Sequence, residues 1–213
     1  MTRDVAAAQT EYRGGHEAEK TEKERAEQSL SHVSESMTDR FPADPPSAFV
    51  VQWATLMAPA LPGPRRALDV AMGRGRHARM LAQLGLNVFG VDASYEAVRA
   101  ARNLAVAGGL SIRAWCADLQ ASTLPRNRFE MLVVARYLQR DLFPAIQDAV
   151  TPEGIVIYET FTVKQRALGF GPRSPDHLLE PGELRGRFDA LDILFYEEVA
   201  APEAVARIVA RKK

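Results

Sequence analysis

One cysteine, Cys116, stands among 213 residues. No intramolecular disulfide can form, so packing rather than cross-links must hold the fold, and the cysteine content gives no sign of an oxidising compartment. The histidines are few and scattered: His16, His32, His77 and His177. With no Cys/His cluster, a structural metal is not expected. Long apolar runs are missing as well. The longest, Phe49 to Leu61, is broken by Gln52 and Pro59 and is too short to span a bilayer. The N-terminus lacks the apolar core of a signal peptide, so a cytoplasmic protein without membrane attachment is expected. Net charge is zero, and no basic cluster marks a nucleic-acid surface.

What the chain does contain is unevenly placed. Hydrophobic residues make up 46% and charged residues 25%, enough apolar material for a sizeable core. Residues 1–44 carry a net charge of −4 and only two aromatics, Tyr12 and Phe41, while the remainder carries +4. The run HEAEKTEKERAEQSL has good helix formers but no apolar stripe, which predicts a charged arm without a core of its own. The segment FPADPPS marks a boundary, so residues 1–46 are expected to be an arm and residues 47–213 a folded domain.

From Ala48 onward the hydrophobic pattern becomes regular. FVVQWATLMAPAL predicts a helix closed by Pro62-Gly63-Pro64. ALDVA, NVFGVD, LSIRAWCAD, FEMLVVA and GIVIYETF predict five strands. HARMLAQL predicts a helix burying Ala78, Leu81 and Ala82, with Gly85 as its cap. Ser94 is placed to cap a helix burying Ala97, Val98, Ala101 and Leu104. DLFPAIQDAV predicts a helix that Pro144 opens. Pro152-Glu153-Gly154 is expected as a turn, and LDILFYEEV and AVARIVARK as two final strands. The alternation predicts an α/β fold: a Rossmann-like, doubly wound, mostly parallel seven-stranded sheet with helices on both faces. Ligands of such a sheet bind at the carboxyl ends of its strands.

The sharpest motif is Gly73-Arg74-Gly75 between the first strand and its helix. Glycines there allow a tight turn and close backbone approach, and the helix start offers N–H groups to an anion. Asp92 ends the second strand 17 residues after Gly75, where a carboxylate can accept from both hydroxyls of a ribose. Asp118 ends the third strand, where it can meet an adenine amino group or simply cap a helix. Gly73-x-Gly75-x-x-Ala78 also satisfies the looser dinucleotide fingerprint, which leaves an NAD(P)-binding oxidoreductase as an alternative. Asp69, inside an otherwise apolar first strand, counts against that alternative. A protein that binds a nucleoside cofactor without catalysis is a further alternative.

LDVAMGRGRHARMLAQLG, followed by VDAS and CADL, resembles the class I S-adenosylmethionine-dependent methyltransferases. More narrowly it is similar to the small bacterial tellurite-resistance methyltransferases, over roughly residues 48–210. The resemblance implies S-adenosylmethionine as cofactor, S-adenosylhomocysteine as product, and a small-molecule acceptor. It implies that Gly73 and Gly75, beside Ala71, line the methionine moiety and that Asp69 fixes the glycine loop. Asp92, with Ala93, would hold the ribose; Ala117, Asp118 and Leu119 would flank the adenine; Ala135 and Arg136 would face the methyl-bearing side.

For the acceptor, Arg136 and Tyr137 follow the fourth strand, and KQRALGFGPRSPDHLLEPGE is long enough to be a binding loop. Arg136 and Arg173 suit an anionic acceptor, and His177 is of the residue type that serves as a base near neutral pH. Cys116, alternating with Ile112 and Ala114, is expected to be a small core residue.

Overall fold

Helices follow the short apolar runs closely enough that most of the chain folds as repeated strand–helix–strand units. The computed structural model describes residues 45–213; of the arm expected over residues 1–46, residues 1–44 lie outside them. In chain order the elements are α1 (Ala48–Met57), β1 (Arg66–Val70), α2 (Arg76–Gln83), β2 (Asn87–Asp92), α3 (Tyr95–Ala107) and β3 (Ile112–Cys116). Then come β4 (Phe129–Ala135), α4 (Phe143–Ala149), β5 (Val150–Phe161), α5 (Glu183–Arg187), β6 (Asp192–Val199) and β7 (Val205–Arg211). The strands form one seven-stranded sheet in the order β3-β2-β1-β4-β5-β7-β6. β1 to β5 are mutually parallel, and β7 runs antiparallel between β5 and β6. The winding reverses between β1 and β4, which opens a crevice at their carboxyl ends.

Alternation along the strands sorts side chains to two faces. On one face, Leu68 and Val70 of β1 and Leu132 and Val134 of β4 pack with Phe143 and Ile146 of α4 and Leu184 of α5. Phe143, Tyr158 and Phe188 form an aromatic group there, with ring centroids 5.5 to 6.0 Å apart. Each such fully buried apolar side chain contributes about 1.5–3 kcal/mol. On the other face Gly90 lacks a side chain because Met72 occupies its space: a Cβ there would sit 2.1 Å from the Met72 sulfur. Met72 in turn packs with Val98 and Ala101 of α3. The helices therefore cover both faces, as the pattern predicts.

Three local readings need correction. α3 buries Val98, Ala101 and Ala105, whereas Leu104 is 38% exposed. The spacings of three and four residues keep these side chains on one stripe, and the two alanines let the helix lie close to the sheet; Leu104 is rotated off that stripe. Pro152-Glu153-Gly154 is not a free turn but a bulge inside β5, where Phe129 pairs with Val150 and Met131 already with Ile155. Glu153 takes a positive φ of 61°, and its N–H and the Gly154 carbonyl are bonded to Lys212 beyond β7. The partner strand absorbs the irregularity. Finally, Cys116 is exposed rather than in the core; its thiol donates to the Ala93 carbonyl at 3.3 Å. It ends β3 directly opposite Asp92.

Candidate active site

β1 delivers the glycine turn to the crevice. Ala71, the first residue past β1, has a positive φ of 53°, and Gly73 and Gly75 follow at 54° and 73°. At Gly75 the glycine is required twice over, since a Cβ would also lie 2.9 Å from the Cβ of Ala101. Above Gly73, by contrast, a Cβ would meet nothing within 4 Å. The turn is packed tightly from below and open above, the shape of a cradle for a ligand.

Two carboxylates fix this turn. Asp69, 1% exposed, accepts the Ala78 N–H at 2.9 Å and so anchors the first turn of α2. Burial pushes its carboxyl up to about 7, against the pull of the Ala78 hydrogen bond and Arg76 and with a further push from Asp92. Asp92, half-buried at the end of β2, accepts the Gly73 N–H at 2.8 Å through one oxygen and the Ser94 N–H at 2.9 Å through the other. A carboxylate has about four acceptor positions, so Asp92 can still receive two hydroxyl donors. Ser94 caps α3 through the Ala97 N–H, as its position predicts.

The exit of β3 lies next door, with the Ala117 N–H bonded to the Asp92 carbonyl. Asp118 is exposed and accepts the Gln120 N–H at 2.9 Å through Oδ1, which turns the chain back so that Leu119 is buried. It caps this turn. The residues fit a nucleoside carrying a cationic amino-acid tail: a diol-binding carboxylate, a second carboxylate for an amino group, and a glycine cradle.

β4 brings Ala135 and Arg136 to the other side of the crevice. Arg136 has a positive φ of 58°, a strain of the kind that gathers at functional sites. Its guanidinium pairs with Glu203 at 2.7 Å and lies 5.8 Å above the Phe161 ring. His77 is buried and neutral: burial, then Arg76 and Arg136, push its ring down to about 3. Its Nε2 accepts the Ser47 N–H at 3.0 Å, tying the start of α1 to α2. Tyr137 is raised in pKa by burial first and then by Asp118, Asp141 and Asp92.

The remaining sequence candidates are placed differently. Arg173 bonds the Gly169 carbonyl within its own loop, and His177 is exposed in a one-turn 3-10 helix, Pro175–His177. Arg140 is taken up as a staple, bonded to Glu183 at 2.7 Å and to the Leu178 carbonyl at 2.9 Å. The loop they fasten is further pinned by buried Gln165, which accepts the Ala204 N–H at 2.7 Å. Sequence reasoning missed Glu203 and Gln139, whose roles rest on contacts 67 and 20 residues away. No local pattern announces either. Among the described residues no group of three or more His, Cys, Asp or Glu is placed to hold a metal, and no helix is long and apolar enough to cross a membrane.

Residues 67–154 match the model of the methyltransferase domain family. Curated protein sequences give no match. Among solved structures, TehB from Haemophilus influenzae superposes with a TM-score of 0.67 at 18% identity, covering 84% of this chain and 67% of its own. An S-adenosylmethionine-dependent methyltransferase from Mesorhizobium loti gives 0.58 at 20% identity, over 76% of this chain and 98% of its own. A second such enzyme, from Aquifex aeolicus, gives 0.60 at 16% identity, over 83% and 98%. The matched segment spans the glycine turn, Asp92 and Asp118.

Proposed function

We propose that this chain, which carries a class I S-adenosylmethionine-dependent methyltransferase domain, transfers the cofactor's methyl group to a small-molecule acceptor at the ends of β4 and β5. The bound cofactor supplies an electrophilic methyl on a sulfonium. Asp92 holds the ribose hydroxyls with Ala93 beside it, and Asp118, Leu119 and Ala117 frame the adenine. Gly73 and Gly75, with Ala71, take the methionine end, where buried Asp69 faces its ammonium group. Ala135 closes the methyl-bearing side. The observation that carries this reading is the half-buried Asp92 carboxylate, held by two backbone N–H groups at 2.8 and 2.9 Å with acceptor positions to spare.

On the acceptor side the protein's task is alignment, which is worth roughly 7–11 kcal/mol in favourable cases. An acceptor that arrives as an anion needs no base, whereas one with a proton on its reacting atom does. Arg136 and Tyr137 are the residues we place against the acceptor. Arg173 and His177 lie on the loop that Arg140 fastens to the β4 exit, where Arg140 also approaches the Pro175 carbonyl at 3.4 Å. Residues 47–213 constitute the catalytic domain in this reading, residues 1–46 an appended arm, and the enzyme works in the cytoplasm without nucleic acid or membrane.

Replacing Asp92 removes a pair of charge-assisted hydrogen bonds. Asp92→Ala should weaken S-adenosylhomocysteine binding by about 10- to 150-fold in calorimetry. Unchanged affinity would remove Asp92 from the site. The acceptor class is tested by transfer of a radiolabelled methyl group to a small-metabolite panel set beside RNA, DNA and protein fractions. Label entering only the macromolecular fractions contradicts a small-molecule acceptor.

A further inference from the structure

The link from β3 to β4, residues 117–128, contains no helix, yet it carries the three residues read above as framing the adenine. Leu119 and Leu124 are buried in the core, and Asp118 organises the first turn by accepting the Gln120 N–H. From the β4 side, Gln139 reaches this segment: its Nε2 donates to the Leu119 carbonyl at 3.0 Å. Its Oε1 accepts the Tyr137 hydroxyl at 2.5 Å. The amide orientation follows from its partners, because a backbone carbonyl can only accept. Tyr137 is itself held at the backbone, where the buried Tyr158 hydroxyl donates to its carbonyl at 2.9 Å. Three hydrogen bonds thus run from β5 through Tyr137 and Gln139 to the main chain at Leu119.

We propose that Gln139 is a positioning residue for purine recognition: it fixes Leu119, and with it the neighbouring Asp118 carboxylate, where the cofactor's exocyclic amino group is read. It touches neither the transferred methyl nor the acceptor. The inference rests on the assignment of Asp118 and Leu119 to the adenine. Its consequence is selective. Losing Gln139 should harm recognition of the purine edge more than it harms affinity for the rest of the ligand.

The test compares S-adenosylhomocysteine with S-inosylhomocysteine, which has an oxo group in place of the amino group, by calorimetry on the full-length chain. Wild type should prefer the adenosyl compound by about tenfold or more, the worth of one well-placed charge-assisted hydrogen bond. Gln139→Leu should lose most of that preference, binding the adenosyl compound about tenfold more weakly and the inosyl compound nearly as before. Should Gln139→Leu fail to fold, Gln139→Glu keeps the acceptor for Tyr137 but faces the Leu119 carbonyl with a carboxylate, and the preference should again be lost. Tyr137→Phe, which leaves the bond to Leu119 in place, should cost only about two- to threefold in preference. Equal weakening of both ligands in Gln139→Leu, or an unchanged ratio, overturns the proposal and leaves Gln139 a structural residue. Asp118→Ala separates the two levels. If it abolishes the preference while Gln139→Leu does not, only the Gln139 inference fails; if neither variant alters the ratio, the adenine assignment fails with it.

Discussion

The carboxylates at the tips of β1, β2 and β3 are held by backbone N–H groups, while those around β4, β5 and β7 are held by arginines. Asp69, Asp92 and Asp118 accept from Ala78, from Gly73 and Ser94, and from Gln120, all within 19 residues of themselves. Glu159, Glu183 and Glu203 pair with Arg207, Arg140 and Arg136, at separations of 48, 43 and 67 residues. A carboxylate bonded to one or two N–H groups keeps spare acceptor positions, so it can receive the hydroxyl or amino donors of a ligand. An arginine-paired carboxylate is already answered by a full charge and serves to lock strands and loops together. In the proposed reading, one half of the crevice holds the cofactor, while the half that faces the acceptor is braced by its own ion pairs.

The largest difference between the halves should appear with pH. Burial raises the folded pKa of Asp69 from 3.8 to about 7. Between these values the folded protein holds a proton that the unfolded chain has released. Stability therefore falls as pH rises from about 4 to about 7 and levels off above that, by an amount on the order of 4 kcal/mol. Asp69→Asn should flatten this slope while still offering an acceptor to the Ala78 N–H. Urea unfolding of both proteins at pH 5 and pH 8 reads the effect; parallel curves for the two would show that Asp69 is ionised in the native state throughout. Saturating S-adenosylhomocysteine, whose ammonium favours the charged carboxylate, should also reduce the slope in wild type.

On the arginine side the corresponding test removes a partner. Arg207 bonds Glu159 at 2.6 Å and Glu197 at 2.9 Å, and the Glu159 side chain is only 5% exposed. Arg207→Met should cost about 3 kcal/mol in urea unfolding, because it strands a buried charge. Adding Glu159→Gln should recover much of that loss. A single variant less than about 1 kcal/mol down would mean that solvent already shields this pair.

The same contrast explains which features are legible in the amino-acid sequence. The glycine turn, Asp69, Asp92 and the Ser94 cap act over short sequence distances through the backbone, and their spacing is their signature. The order of strands and the division of helices between faces follow from hydrophobic period. Glu203 acts through a side chain on a distant segment, and nothing near it in sequence names that partner. Glu183 and Gln139 have local partners in Arg187 and Tyr137, but their links to Arg140 and to the Leu119 carbonyl span 43 and 20 residues. Cys116 escapes the pattern because alternation assigns a face but not the strand's position in the sheet: β3 is the last strand in the order, and its tip is open. Leu104 escapes it because a helical stripe read from apolar residues alone is one position too wide. The bulge at Glu153 depends on Lys212, beyond any local pattern.

The smallest effect is expected where the two halves meet, at Arg136 and Glu203, whose side chains are 42% and 31% exposed. An exposed ion pair contributes about 0–1 kcal/mol, so Glu203→Gln should shift the unfolding midpoint little, by under about 0.5 kcal/mol. Affinity for S-adenosylhomocysteine should stay within about twofold, since no carboxylate that holds the cofactor is altered. What changes is the charge offered to the acceptor. Arg136 stays over the Phe161 ring, with its backbone set by the end of β4, but loses the anion that neutralises it. Methyl transfer to an anionic acceptor should therefore gain in kcat/KM, while a neutral acceptor of the same shape should not. Should cofactor affinity fall together with transfer, Glu203 would belong to the cofactor-holding half after all, and the division along the crevice would move from β4 to the connection between β6 and β7.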